Sequence, residues 1–125
     1  LVSGIVTAQD FRGDWRGTLS LEGSDSTVTA RIVISGGSAR QYFPNNSGGW
    51  RLVDPINATF TTFGNNASLT WINAGGVWTE TQTYNMTLLD DDTAEVLHIR
   101  HVNNRHPGGD GDPWFYMARG VMTRQ

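Results

Sequence analysis

Val77-Trp78-Thr79-Glu80-Thr81-Gln82-Thr83-Tyr84-Asn85-Met86-Thr87-Leu88-Leu89 is the longest alternating run in the chain. Trp78, Glu80, Gln82, Tyr84, Met86 and Leu88 share one parity, and threonines at 79, 81, 83 and 87 dominate the other. Threonine loses side-chain freedom in a helix and packs well on a pleated surface, so this stretch reads as a strand. Successive side chains of a strand point to opposite faces. The even-numbered set therefore lines one surface, apolar at its ends and polar around Glu80 and Gln82.

The same period of two recurs on both sides of it. Trp15 to Glu22 alternates with Trp15, Gly17, Leu19 and Leu21 on the inner parity, and Ser26 to Ser35 places Val28, Ala30, Ile32 and Ile34 together. Shorter pieces follow at Arg40 to Phe43, Trp50 to Asp54, Ile56 to Phe63 and Ala67 to Ile72, and later strands at Thr93 to Val102 and Trp114 to Met122. Gly, Asn, Asp and Pro clusters separate them, as at Gly23-Ser24-Asp25, 44–49, Gly64-Asn65-Asn66 and 73–76. Pro55 starts an element or marks an edge. No segment keeps a helical period, so the expected fold is all-β: eight or nine antiparallel strands joined by short turns. Closing such a sheet into an up-and-down barrel satisfies its edges and encloses one parity. A two-sheet sandwich is the competing architecture.

With 125 residues, 38% of them hydrophobic, the chain has room for one domain, expected over 11–125. Residues 1–10 are read as an extension or the remnant of a targeting segment. Val6-Thr7-Ala8 has the small residues of a cleavage site, so secretion or a periplasmic location is compatible with the sequence but not fixed by it. There is no cysteine, which removes disulfides and thiolate chemistry. All nine basic residues are arginines scattered among twelve acids, so no positive stripe exists for a nucleic acid backbone. No apolar run is long enough for a transmembrane helix. Phosphate-binding glycine loops, dinucleotide fingerprints and nucleophile elbows are missing, and no cofactor is expected.

Gly13-Asp14-Trp15, entering the first strong strand, resembles the Gly-x-Trp signature of the calycin superfamily, which includes lipocalins, avidins and fatty-acid-binding proteins. The resemblance covers Phe11 to Arg124. It implies an eight- or nine-stranded up-and-down barrel in which Trp15 plugs the closed end and a late arginine, Arg119 or Arg124, packs over the indole. Loops at the opposite end would then control access to a cavity.

On Thr93 to Val102 two phases are open. One turns Val96, His98, Arg100 and Val102 inward and offers an imidazole and a guanidinium to Glu80. The other buries Leu97 and Ile99 and leaves His101 as the inward polar group. A buried charge requires a partner, so Glu80 with Arg100 or His98 is the expected internal polar cluster. His98, His101 and His106 do not form a metal site, because 98 and 101 have opposite parities and 106 lies in the next loop. Asp90-Asp91-Asp92 and Asp110-Gly111-Asp112 lack a calcium-loop pattern and read as solvated turns. Asn45-Asn46-Ser47, Asn57-Ala58-Thr59, Asn66-Ala67-Ser68 and Asn85-Met86-Thr87 fit the N-glycosylation acceptor pattern, which arises readily in an Asn- and Thr-rich chain.

The expected function is binding of a small, mainly apolar organic ligand, with Trp78, Gln82, Tyr84, Met86 and Tyr116 around it and Glu80 or Arg100 orienting a polar end. The alternative is a cofactor-free lyase, isomerase or cyclase, with Glu80 or His98 moving a proton and Arg100 or Tyr84 stabilising negative charge. A structural or protein-binding barrel is the third reading. Five tryptophans in a chain this short also raise a homo-oligomer, such as a dimer, as an expectation.

Overall fold

The computed structural model describes residues 10–105 and 111–125. Among these residues nine strands run in chain order: β1 (Gly13–Leu21), β2 (Thr27–Ser35), β3 (Ser38–Pro44), β4 (Trp50–Leu52), β5 (Asn57–Phe63), β6 (Asn66–Ala74), β7 (Thr79–Leu88), β8 (Thr93–Asn103) and β9 (Trp114–Arg124). They form a single sheet in the order β4-β3-β2-β1-β9-β8-β7-β6-β5, with every ladder antiparallel. Each strand pairs with its chain neighbour except across β4 and β5, and β9 returns to lie beside β1. The sheet curls into a half-barrel. The all-β, calycin-like up-and-down expectation holds, and the sandwich gives way to one continuous sheet. Among the described residues no helix is long and apolar enough to cross a membrane.

The break between β4 and β5 has a local cause. Val53 N–H donates to the Gln41 carbonyl of β3 at 2.9 Å, whereas Ile56 N–H donates to the Ile72 carbonyl of β6 at 3.0 Å. Within three residues the chain changes partner, and Pro55, which has no N–H to contribute, sits at the changeover. The two ends of the sheet are thus joined by a short covalent crossing.

One parity of each strand fills the interior. Trp15, Leu19, Ile32, Met86, Val96 and Met122 are fully buried, with Ala30, Ala94 and Ala118 between them. This apolar packing closes one end, the base. There the Trp15 Nε1–H donates to the Phe11 carbonyl at 2.8 Å, and the Arg124 guanidinium lies 4.6 Å from the indole centroid. Arg124 also donates to the backbone carbonyls of Asp91 (Nε, 2.9 Å), Asp10 (Nη2, 3.0 Å) and Arg12, tying the lead-in to β1 and the β7–β8 turn to the plug. Gly13 is required beneath it: its φ is +141°, and a Cβ there would stand 2.9 Å from Arg124 Cγ. Of the two arginines offered by the resemblance, Arg124 takes the place over Trp15. Arg119 faces outward and pairs with Glu22 at 2.8 Å.

The outer face carries its own logic. Asn66 stands opposite Thr87, and Ser68 opposite Asn85. Thr87 Oγ1 donates to Asn66 Oδ1 and Ser68 Oγ to Asn85 Oδ1, each at 2.8 Å. Two of the glycosylation-like triplets therefore lie antiparallel and satisfy one another as cross-strand polar pairs. The expectation for residues 1–10 falls, apart from Asp10, outside the described residues, as do His106 and Asp110.

Candidate functional site

At the end opposite Trp15, the mouth, the inner parity turns polar. β7 delivers Glu80, Gln82 and Tyr84, all buried, exactly two residues apart because a strand's inward positions recur at that interval. β8 resolves the open phase: Val96, His98, Arg100 and Val102 turn inward, and His101 is exposed. Register then sets Gln82 beside Arg100, Tyr84 beside His98, and Arg100 beside Tyr116 of β9. β3 contributes Gln41, only 3% exposed, from across the β4–β5 crossing.

These side chains form a directed hydrogen-bond chain. Trp71 Nε1–H donates to Gln41 Oε1 at 2.6 Å, and Gln41 Nε2 donates to the Tyr84 hydroxyl oxygen at 2.7 Å and to Gln82 Oε1 at 3.2 Å. Gln82 Nε2 donates to Glu80 Oε2 at 2.6 Å, and Arg100 Nε donates to the same oxygen at 2.6 Å. The donors lead link by link to the Glu80 carboxylate. Among the described residues no buried side-chain polar atom is left without a partner. A satisfied network of this kind makes a rigid polar floor, since an unpaired buried group would cost about 1–3 kcal/mol.

His98 belongs to a second group. Its Nδ1 lies 3.2 Å from the Thr83 carbonyl, which can only accept, so Nδ1 carries the proton. Nε2 is then free to accept from the Tyr116 hydroxyl at 3.2 Å. Burial pushes the imidazole pKa down to about 4, which keeps the ring neutral. The ring stacks on Tyr84, centroids 3.9 Å apart and planes 8° from parallel. Burial also raises the Tyr84 and Tyr116 hydroxyls above their ordinary range.

A cleft of about 400 Å³, bounded by Val28, Phe43, Tyr84, His98, Arg100 and Tyr116 together with Arg51 of β4, adjoins the hydrogen-bonded network at Tyr84 and Arg100, whereas Gln41 and Trp71 line a separate concavity of about 280 Å³ beside Leu52, Pro55 and Ala58. Trp114 stands on the rim, 42% exposed, with the Arg100 guanidinium 5.2 Å from its ring. A larger concavity of about 470 Å³ on the outer wall lies between Asn85, Leu97, Arg119 and Val121, but none of the buried polar groups reaches it.

Of the residues expected from sequence, Glu80, Gln82, Tyr84, His98, Arg100 and Tyr116 come together. Glu80 pairs with Arg100, and His98 bonds to Thr83 and Tyr116, so the internal cluster divides into two groups. Met86 sits deeper, in the apolar core. Trp78 precedes β7, which begins at Thr79. It is half-buried in the β6–β7 turn, and its indole covers Gly75, where a Cβ would stand 2.8 Å from the indole Nε1. His98 and His101 face opposite sides of the wall, and among the described residues no three His, Asp or Glu side chains converge. Gln41, Trp71, Phe43 and Arg51 join the site without having been singled out. Gln41 could have been found as the one amide on the inward parity of its strand.

No protein-family model matches the chain, and comparisons with curated proteins and with solved structures also return no match. The fold is a nine-stranded antiparallel sheet among the described residues, curled into a half-barrel consistent with a calycin-like, up-and-down barrel of no particular family.

Proposed function

We propose that this protein binds a small, mainly apolar organic molecule at the mouth of the barrel, with the body of the ligand against Phe43, Val28 and Tyr116 and a polar end directed toward Arg100. The supporting observation is the cleft of about 400 Å³ whose lining includes Tyr84 and Arg100, both held by a hydrogen-bonded network with no buried side-chain polar atom left unpaired among the described residues. That volume falls within the range of about 300–1,000 Å³ typical of small-molecule sites. The aromatic walls provide apolar contact area, and the few fixed polar groups provide orientation. Binding is favoured over proton transfer because the Glu80 carboxylate accepts from Gln82 and Arg100, and the lone pair of His98 Nε2 is occupied by Tyr116.

A neutral naphthylamine dye tests the reading by fluorescence titration. Saturable binding is expected, weakened tenfold or more in Tyr116→Ala and in Phe43→Ala and unchanged in Leu97→Ala on the outer wall. Absence of saturable binding, or equal affinity in all four proteins with unaltered circular dichroism, would refute it.

A further inference from the structure

Between Asp54 and Asp90 the only charged residue is Glu80, and it faces the interior in an ion pair with Arg100. The outer wall made by β5, β6 and β7 is therefore free of charge, in a chain whose formal charge is −3. Soluble surfaces ordinarily carry charged side chains at about a quarter of their positions. The outward rows here are instead Asn57, Thr59, Thr61 and Phe63 on β5, Asn66, Ser68, Thr70 and Ile72 on β6, and threonines with Asn85 on β7.

The outermost strand of this wall is β5. It pairs with β6, and among the described residues no strand is hydrogen-bonded to its other side: β3 approaches without pairing, Ala39 and Gln41 lining a concavity with Ala58, so alternate N–H and C=O groups of β5 point away from the sheet. Proteins usually protect such an edge with lysine, proline, a bulge or short length. β4, at the other end of the sheet, is protected in two of these ways: it is three residues long, and Asp54 and Pro55 follow shortly after it. β5 is seven residues long, Asn-Ala-Thr-Phe-Thr-Thr-Phe, with no charge and no proline. It ends in Phe63, 82% exposed, and follows Ile56, 68% exposed.

We infer that β5 is a self-association edge: two copies of this chain join antiparallel through β5, extending the sheet from one half-barrel into the next. The occupant is argued from complementarity. Whatever the two-fold register, only Asn, Ala, Thr and Phe of one strand meet the same residues of the other, so no like charges are brought together. Threonines and phenylalanines are also favourable cross-strand neighbours. The charge-free wall beside the edge lets two acidic molecules approach there when repulsion would keep them apart elsewhere. An isologous contact of this kind closes at two copies.

Sedimentation equilibrium of the whole chain from micromolar to millimolar concentration tests the inference. Wild type should move from the mass of one chain to that of two. The double variant Thr59→Lys/Thr61→Lys, which crowds lysines of the two copies together about the two-fold axis, should remain at one chain throughout while keeping the wild-type circular dichroism spectrum. Ser20→Lys, on the exposed face of β1, should dimerise as wild type does. A wild type that stays at one chain at millimolar concentration overturns the proposal, as does a dimer that survives both β5 lysines or dissociates only with Ser20→Lys.

Discussion

Both ends of the half-barrel hold an arginine over an indole, and the two pairs do different things. At the base, Arg124 lies 4.6 Å from the Trp15 centroid, Trp15 is fully buried, and the guanidinium is engaged by backbone carbonyls of three residues. At the mouth, Arg100 lies 5.2 Å from Trp114, but the indole is 42% exposed and the arginine is bound by a side-chain carboxylate, Glu80. The difference lies in what occupies the cation. Carbonyls from fixed backbone lock Arg124 as a staple, whereas Arg100 rests on a side-chain network beside an open cleft. An arginine–tryptophan pair is thus a plug or a rim according to its surroundings.

The contrast is broken most severely at the base. Trp15→Ala removes a wholly buried indole and should cost about 3–5 kcal/mol, read as a lower urea midpoint with an unchanged slope. At the mouth the sharpest test is pH. The His98 pKa, about 4 when folded, lies below its ordinary value of about 6.5, so as pH falls the unfolded chain takes up the proton first. Stability is therefore complete above about pH 6.5 and declines toward pH 4 by on the order of 3 kcal/mol. A melting curve series from pH 7 to pH 4 should show this loss in wild type and a flatter profile in His98→Gln. The smallest effects separate the two candidate base arginines. Arg124→Ala should cost about 2 kcal/mol by stranding carbonyls, and Arg119→Ala, whose ion pair with Glu22 is half in solvent, no more than about 0.5 kcal/mol.

Much of this was legible in residue order, because parity is a strong signal wherever one side of a strand is uniformly apolar. Val28, Ala30, Ile32 and Ile34 permit one orientation, and the threonine row of β7 leaves Glu80, Gln82 and Tyr84 facing inward. β8 was ambiguous for a physical reason: Leu97 and Ile99 lie half-buried on the outward parity, so both faces read as apolar. The alternation runs through Trp78 although β7 begins at Thr79, because Gly75 and Gly76 lead into a turn whose length alternation does not reveal. The choice between Arg119 and Arg124 was available in parity, since Ala118, Gly120, Met122 and Arg124 share the inner side. Gln41 stayed hidden because its partners, Trp71 and Tyr84, are brought near only by curling the sheet.

The ladder that sets Trp15 against Arg124 joins the first strand to the last. During synthesis β1 therefore emerges with only one of its two eventual neighbours, β2, close behind, and must wait until β9 has been made before its other side is covered. Bringing such distant segments together is entropically slow, so this protein belongs among the high-contact-order folders, with the nascent barrel holding its tryptophan plug unsealed until the final strand arrives.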